Sequence, residues 1–340
     1  MDQNLNQPLI SVIMPVYNAG PFVKQAIESV LAQSYKNFEL IILNDGSTDN
    51  SEQVILSFSD NRIRYTLHKK NVGLIACLNE GVRISNGTYI ARMDADDISL
   101  LRRFEKQLSF LEENLLVGIC GTQIDTIREE RIIPFDRLPI CNNAIRAALL
   151  FRNVLIHPSV MFRKSIFQGE TPFDSAFYLA EDYECWSRMA GKTEFVNLSE
   201  TLLHYRIHSN QVSTDKSDEQ QKIAAKIRNV MLKNWNSVTE SELHFHKLIC
   251  LNKIKSKEDL LKVDKWFHKL LHLNAAKQWT DESCLKTELN LQWKKVCMYS
   301  GTGIGTFSVY QKSSFASKDS ITEKARILLR MWKHRNNKIS

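Results

Sequence analysis

A short apolar run that ends in carboxylates is the feature that most constrains this chain. Residues 89–93 (YIARM) are mostly apolar, and Asp94, Asp96 and Asp97 follow within four positions. A run of this kind is typical of a buried β-strand. Its carboxylates then emerge together at the C-terminal end of the strand, which is the edge where open α/β sheets bind ligands. An acidic turn that caps a helix beginning near Ser99 is the simpler alternative.

The spacing of the three aspartates has an electrostatic consequence. Carboxylates crowded this closely repel one another unless a cation neutralises their charge. Hard oxygen ligands of this kind suit Mg²⁺ or Mn²⁺. The aspartates therefore predict a divalent-metal site, provided that the rest of the chain builds the sheet that would hold them.

The segments around the acidic run alternate between strand and helix patterns. Before it, strands are predicted at residues 9–16, 38–43, 63–67 and 89–93, and helices at residues 21–33, from about 49, and at 72–85. After it, helices are predicted at residues 101–113, 142–150 and 181–189, strands at 117–127, 157–162 and 202–206, and an edge strand or loop at 128–141. This alternation predicts a mostly parallel α/β sheet with helices on both faces.

The pattern changes at about residue 213, where the chain becomes polar, Lys-rich and helical. We therefore predict an α/β domain at residues 1–212 and a helical, basic region at 213–340. The formal net charge of +7 includes a marked basic excess after Ala316. Such a surface can attract anionic lipid, an anionic substrate or nucleic acid. Since no zinc-finger, RNP or helix-turn-helix signature accompanies it, no nucleic-acid partner is expected.

Cysteine usage and hydropathy favour a cytoplasmic protein. The seven cysteines show no CxxC spacing and no histidine partners, which predicts reduced thiols. No run reaches the roughly 20 apolar residues of a membrane-spanning helix, and the N-terminus lacks the basic region of a secretory signal.

The last residues of the chain, 320–340, predict an amphipathic basic helix. One face carries Ile321, Ala325, Leu328, Leu329 and Trp332. A helix of this kind can lie on an anionic membrane surface without spanning it. That would place the protein at the inner face of the plasma membrane. Packing of the apolar face on the catalytic domain is the alternative.

Three predicted strand ends converge on one crevice. Residues 15–18, 44–47 and 94–97 follow strands that are neighbours in a doubly wound sheet. Neither a G-x-G-x-x-G fingerprint nor a P-loop is present, so the charge of a bound diphosphate must be met by a metal. Asp45 can accept the imide N–H of a uracil and Tyr17 can stack on a base, which predicts a nucleoside diphosphate as the ligand. Taken alone, Tyr17 is more typical of a core and Asp45 of a turn.

Four motifs carry a resemblance to a known family. Between residues 10 and 213 the chain contains, in order, PVYNAGPFVKQAIESVLAQSY, FELIILNDGSTDNS, NVGLIACLNEGVRISNGTYIARMDADD and AEDYECWSRM. These stretches resemble the family 2 glycosyltransferases with the GT-A fold. The resemblance implies a Rossmann-like nucleotide-sugar-binding domain, a divalent metal, and inverting transfer from a nucleotide sugar, usually a UDP-sugar.

The resemblance also implies roles for individual residues. Asp94 and Asp96 match the D-x-D motif that binds the metal and the ribose and diphosphate of the donor, and Asp97 extends it. His208 stands where related sequences carry a histidine that touches the metal or the diphosphate. The residues matching nucleotide contacts are Pro15, Tyr17, Asn18 and Asp45.

Asp182 matches the catalytic base of the family, with Glu181 and His157 on the acceptor side. Direct displacement needs a carboxylate to take the proton of the acceptor hydroxyl, while a metal stabilises the leaving diphosphate. Because Asp182 opens a predicted helix, the helix dipole favours its ionised form, so Glu181 is expected to tune its pKa. Strand-end packing is the alternative for His157. Residues 169–173 depart from the family, since they hold one glycine where members often carry a glycine-rich turn.

The predicted function is transfer of a hexose or N-acetylhexosamine to a hydroxyl of a glycan acceptor, lipid-linked and destined for O-antigen, capsule or lipopolysaccharide. Two other classes compete. A catalytically inactive nucleotide-sugar-binding protein is disfavoured because the D-x-D pair and Asp182 are both present. A sugar nucleotidyltransferase usually has a glycine-rich phosphate loop with a basic residue near its first strand, and PVYNAGPF lacks one.

Overall fold

The computed structural model describes residues 9–208, 217–300, 307–316 and residue 328. The chain divides into two compact units. The first comprises Met1–Ile145 and Asn153–Ile223, and the second Arg146–Arg152 and Ala224–Ser340. The inclusion of residues 146–152 in the second unit has no counterpart in the sequence prediction, and the boundary near residue 213 stays a prediction.

The first unit is built on one large sheet. Its strands are β1 (Ile10–Val16), β2 (Phe38–Asn44), β3 (Ile63–Leu67), β4 (Tyr89–Arg92), β5 (Ile98–Ser99), β6 (Val117–Arg128), β7 (Arg131–Pro134), β8 (Met161–Arg163) and β9 (Glu194–Arg206). Its helices are α1 (Val23–Leu31), α2 (Ser51–Leu56), α3 (Leu74–Ile84), α4 (Arg103–Glu113) and α6 (Glu181–Met189), while α5 (Asn142–Leu149) has residues in both units.

The strand order is β3-β2-β1-β4-β8-β6-β9-β5, with β7 paired to β6. Strands β3, β2, β1 and β4 are parallel. Strand β8 runs antiparallel to β4 and β6, and β6 and β9 are parallel. The predicted α/β fold class is therefore confirmed, as a mixed sheet with a parallel first half.

The two faces of the parallel half are covered by different helices. Strands β2 and β4 are buried along their whole length, and β1 is buried except at Pro15, as expected for strands that pack on both faces. Val12 and Met14 belong to the core cluster that includes residues of α1 and α4. Ile13 points to the other face, where α3 approaches so closely that a Cβ on Gly81 would lie 2.5 Å from Ile13 Cγ2.

In the second half of this unit, one strand prediction is wrong at its start and another is confirmed but too short. The predicted strand at residues 157–162 begins as a 3₁₀ turn, His157–Ser159, and only Met161–Arg163 is a strand. Pro158 has no N–H to donate to a sheet, which favours the turn. The predicted strand at 202–206 in fact begins at Glu194. Register shifts in its pairing with β6, around Gln123, interrupt the side-chain alternation that sequence reasoning relies on.

The second unit is helical, which confirms the prediction of a helical C-terminal region. Its helices are α8 (Glu240–Cys250), α9 (Lys257–Lys277), α10 (Glu282–Tyr299) and α11 (Phe307–Lys312), and α7 (Ser217–Lys233) has residues in both units. Side-chain caps start three of them: Thr239 forms a capping box before α8, Ser256 caps α9 and Asp281 caps α10. Such caps satisfy backbone N–H groups that a helix leaves unpaired.

The predicted amphipathic helix at residues 320–340 lies outside the described residues, apart from Leu328. Within the part of the chain that the structure describes, none of the helices combines the length and the apolar character needed to cross a membrane.

Candidate active site

The parallel strands deliver their carboxyl ends to one edge of the sheet. Val16 of β1 lies beside Asn44 of β2, and Ile13 lies beside Arg92 at the end of β4. The loops after β1 and β2 are joined by hydrogen bonds. The Asn18 N–H donates to Ser47 Oγ at 3.0 Å, and the Asn18 side-chain oxygen accepts from the Thr48 N–H at 2.8 Å.

The residues predicted to contact the nucleotide differ in exposure. Tyr17 is 52% exposed, which excludes the core position that was its alternative. Pro15 is half-buried and Asn18 is exposed. Asp45 is buried, and its carboxylate accepts backbone N–H groups of Val72 at 2.7 Å and Gly73 at 2.9 Å. Asp45 therefore holds the start of α3 in addition to the base-binding role predicted for it.

A histidine that sequence reasoning missed lies beside Asp45. The Nδ1 atom of His68 is 3.2 Å from Asp45 Oδ1 and 3.7 Å from Cys77 Sγ, and Nε2 is 2.9 Å from Glu80 Oε2. Burial lowers the pKa of His68, but hydrogen bonds to the two carboxylates raise it on balance. The expectation that no cysteine has a histidine partner is thus wrong for Cys77. The two carboxylates that orient the His68 ring are 12 and 23 positions away in the sequence. No motif spacing indicates that these residues meet.

The three aspartates after β4 form a compact cluster. One carboxylate oxygen from each lies within 4.8 Å of the others. Asp94 forms an ion pair with the buried guanidinium of Arg92. Asp97 is fully buried; its Oδ1 accepts the Arg206 N–H at 2.8 Å, and its Oδ2 has no hydrogen-bond partner among the described residues.

Burial and mutual repulsion act on this cluster. Burial raises the pKa of Asp97 well above its usual value, and the charges of Asp96 and Asp94 add to the effect. Burial also raises the pKa of Asp94, against the opposing charge of Arg92. The surrounding protein groups therefore stabilise the ionised forms of Asp94 and Asp97 less well than water does.

The end of β9 closes this cluster. His208 Nε2 lies 3.0 Å from Asp96 Oδ2, and its ring packs against Phe22 with centroids 4.7 Å apart. Arg206 donates from Nε to the Asp96 carbonyl oxygen at 2.8 Å and from Nη1 to Glu130 at 2.8 Å. The sequence prediction included His208 but not Arg206, which ties the end of the strand to the acidic loop.

These residues fit a divalent cation. Asp94, Asp96 and His208 offer carboxylate oxygens and an imidazole nitrogen, which are ligand types that Mg²⁺ or Mn²⁺ accepts. The buried Asp97 Oδ2, left without a hydrogen-bond partner by the described residues, is a further oxygen that a cation would satisfy.

The predicted base lies at the first turn of α6. Asp182 is half-buried; Oδ1 accepts the Tyr183 N–H at 2.6 Å and Oδ2 accepts the side-chain amide of Asn153 at 2.8 Å. Burial raises the pKa of Asp182 to about 6, despite these hydrogen bonds and the charge of Arg92. Burial, and not Glu181 as predicted, is therefore the main cause of the shift in the pKa of Asp182.

Glu181 and His157, the two residues predicted on the acceptor side, differ in character. Burial, and then the charge of Asp182, raise the pKa of Glu181 to about 7. His157 is buried against Phe173 and Trp186, with ring centroids 5.1 Å and 5.9 Å away. Burial, with the nearby charge of Arg92, lowers the pKa of His157 well below its usual value. His157 is therefore a neutral ring in an aromatic setting.

Comparison with known proteins identifies the class of this chain. The family model described as Glycosyl transferase family 2 matches residues 11–169. An uncharacterized glycosyltransferase of Haemophilus influenzae is 35% identical over 235 residues, covering 66% of this chain and 73% of the relative. The O-antigen biosynthesis glycosyltransferase WbnJ of Escherichia coli is 36% identical over 217 residues, covering 62% of this chain and 83% of WbnJ.

The fold is shared with a solved structure of low sequence identity. The crystal structure of S. aureus TarS 1–349 in complex with UDP-GlcNAc aligns with a TM-score of 0.58 at 15% identity, covering 88% of this chain and 91% of the TarS chain. The family match covers the part of the chain that holds the first three motifs, including the aspartate cluster. This chain belongs to glycosyltransferase family 2.

Proposed function

We propose that this transferase moves a hexose or N-acetylhexosamine, with inversion, from a UDP-linked nucleotide sugar to a hydroxyl of a glycan acceptor. The observation that carries the proposal is the presence of two distinct carboxylate groups around one buried cation, Arg92. The cluster formed by Asp94, Asp96 and Asp97 suits a metal and a diphosphate. Asp182 suits a base, because a carboxylate with a pKa of about 6 is ionised at neutral pH yet more basic than an ordinary one.

On the donor side, the base and ribose of the nucleotide would be bound by Pro15, Tyr17, Asn18 and Asp45. The exposed ring of Tyr17 supports stacking on a base. Asp94, Asp96 and His208 would hold a divalent metal, Mn²⁺ or Mg²⁺. When bound, the metal supplies positive charge that stabilises the leaving diphosphate. The UDP-GlcNAc complex of TarS supports a nucleotide sugar as the ligand of this fold.

On the acceptor side, Asp182 takes the proton of the attacking hydroxyl as the glycosidic bond forms and the bond to the diphosphate breaks. Glu181 and His157 are proposed to contact the acceptor. Both carry a buried polar atom, Oε2 and Nε2, that has no hydrogen-bond partner among the described residues. Sugar hydroxyls can donate to or accept from such atoms.

The O-antigen role of WbnJ supports a surface polysaccharide such as O-antigen, capsule or lipopolysaccharide as the product. We further propose a lipid-linked glycan acceptor, and with it a peripheral location at the cytoplasmic face of the plasma membrane. The basic, amphipathic pattern of residues 320–340 supports this location. The intact aspartate cluster and Asp182 favour an active enzyme over an inactive sugar-nucleotide-binding protein.

A donor screen tests the proposed function. Purified protein is incubated with a panel of UDP- and GDP-sugars in Mn²⁺, and release of nucleoside diphosphate is measured with and without EDTA. We expect release from one or a few UDP-sugars, abolished by EDTA. Release of pyrophosphate instead, with consumption of a nucleoside triphosphate and a sugar phosphate, would identify a nucleotidyltransferase and reject the proposal.

A further inference from the structure

Asn153 has a fixed side-chain orientation next to the base. Its Oδ1 accepts the backbone N–H of Leu155 at 3.1 Å, and its Nδ2 donates to Asp182 Oδ2 at 2.8 Å. A backbone N–H can only donate, and an ionised carboxylate can only accept. The amide oxygen must therefore face Leu155 and the NH₂ group must face Asp182. The local chain, rather than the base, determines where this donor points.

We propose that Asn153 is a positioning residue that holds the carboxylate of Asp182 in a single orientation for proton transfer. The inference rests on the proposed function, in which Asp182 is the base. The second oxygen, Oδ1, is held by the Tyr183 N–H at 2.6 Å. Rotation of the carboxylate about its Cβ–Cγ bond would break both hydrogen bonds, so the two donors together fix its plane. Each oxygen keeps a second lone pair that can accept a proton from an acceptor hydroxyl.

The electrostatic setting makes the role of Asn153 measurable. Among the described residues, the charged and titratable groups that interact with Asp182 are Glu181 and Cys185 on its own helix and Arg92 at the end of β4. Burial raises the pKa of Asp182, while Arg92 and the Asn153 hydrogen bond lower it. Loss of the Asn153 donor should therefore raise the pKa of Asp182 further. A residue that only filled space would leave that pKa unchanged.

Two substitutions separate the contacts of Asn153. Asn153→Asp keeps the shape and the acceptor for the Leu155 N–H, but replaces the donor to Asp182 with a second carboxylate. Asn153→Ala removes both contacts without adding charge, and serves also if Asn153→Asp does not fold. The matched control is Asn114→Asp, the same exchange at an asparagine whose NH₂ group donates to the Phe110 carbonyl at 2.8 Å. Thermal unfolding monitors the fold of each variant.

The primary readout is the titration of Asp182 by carboxyl ¹³C NMR, with its signal assigned by its absence in Asp182→Asn. We expect a midpoint about one pH unit higher in Asn153→Ala than in wild type and Asn114→Asp, since hydrogen bonds to the charged form lower a carboxyl pKa by amounts of this order. Asn153→Asp should raise it more. For the UDP-sugar turned over with Mn²⁺, kcat should fall on the order of 10-fold at neutral pH with KM unchanged.

An unchanged Asp182 midpoint in both Asn153 variants would overturn the inference. So would a loss of kcat in Asn153→Ala without any change in the titration. The proposed function fails separately: if Asp182→Asn retains turnover, Asp182 is not the base. If Asp182→Asn is inactive while both Asn153 variants titrate and turn over like wild type, the base assignment stands and only the role of Asn153 is rejected.

Discussion

Individual carboxylates in this protein differ because their surroundings differ. Asp45 is tied to two backbone N–H groups, Asp94 is paired with Arg92, and Asp97 is fully buried with one oxygen unpartnered among the described residues. Asp182 keeps two hydrogen-bond donors but is raised in pKa by burial. These surroundings suit the structural, cation-binding and proton-accepting roles proposed for the aspartates, because different environments shift the pKa values of one residue type apart.

The pKa of Asp182 predicts the pH dependence of turnover. A base must be ionised, so kcat/KM should fall as the pH drops through about 6, the pKa that burial gives Asp182. An ordinary aspartate would place this limb near pH 4. The measurement is nucleoside diphosphate release from pH 5 to 9 at saturating Mn²⁺. A rate that stays flat down to pH 5 would contradict the assignment of Asp182 as the base.

The residue types of the site could be read from the sequence, whereas their partners could not. Asp94, Asp96 and Asp182 stand out through motif and position. Arg206, His68 and Asn153 do not, because their contacts depend on how distant segments meet. Asn153 reaches Asp182 across 29 positions, and Arg206 reaches Asp97 across 109.

At the scale of elements, hydrophobic pattern predicted the parallel half of the sheet closely. β3 has the predicted bounds, and β1, β2 and β4 lie within one residue of theirs. β1, β2 and β4 pack on both faces and are therefore mostly continuous apolar runs in the sequence, whereas β3 is only partly buried. The end of β9 was predicted, but its first half was missed because it includes polar residues such as Asn197 and Glu200 and its pairing with β6 is irregular. The strand predicted at residues 157–162 is wrong at its start because Pro158 favours a turn there.

Close packing of α3 on β1 predicts the effect of one added methyl group. A Cβ at Gly81 would lie 2.5 Å from Ile13 Cγ2, so Gly81→Ala requires the helix or the strand to shift. Such overpacking costs about 1–3 kcal/mol, against a gain of about 1 kcal/mol from helix propensity. We expect a lower urea midpoint for unfolding.

The control is Gly191→Ala, where no atom lies within 4 Å of the added Cβ. Its midpoint should match that of wild type, since surface substitutions usually change stability by less than about 0.5 kcal/mol. Equal midpoints for both variants would show that the packing of α3 on β1 is not as tight as described.

At the scale of the whole molecule, the first unit carries every predicted donor, metal and base residue, and the second unit is helical. The family is recognisable from the sequence because the motifs of the first unit contain the predicted donor, metal and base residues. The helices of the second unit carry caps and apolar faces that specify structure but no recognisable motif. Their role in acceptor or membrane binding therefore stays a proposal.

Membrane association is predicted to depend on residues 320–340. Each Lys or Arg near an anionic surface contributes about 1 kcal/mol, so removal of this basic segment should weaken binding strongly. The measurement is co-sedimentation with anionic liposomes at low salt, comparing the full chain with a truncation after Asp319. Neutral phosphatidylcholine vesicles are the control. Equal binding by both proteins, or binding by neither, would reject the prediction.

The division of labour between the aspartate cluster and Asp182 is the central claim, and paired measurements on two variants test it most directly. Mn²⁺-dependent UDP affinity and donor turnover are measured for Asp96→Ala and Asp182→Asn. Asp96→Ala should lose both, because the metal and the diphosphate share that side chain. Asp182→Asn should keep UDP affinity while turnover falls by about 10²-fold or more, as loss of a general base typically causes. Near-wild-type turnover in Asp96→Ala, or an equal loss of UDP affinity in Asp182→Asn, would contradict the account.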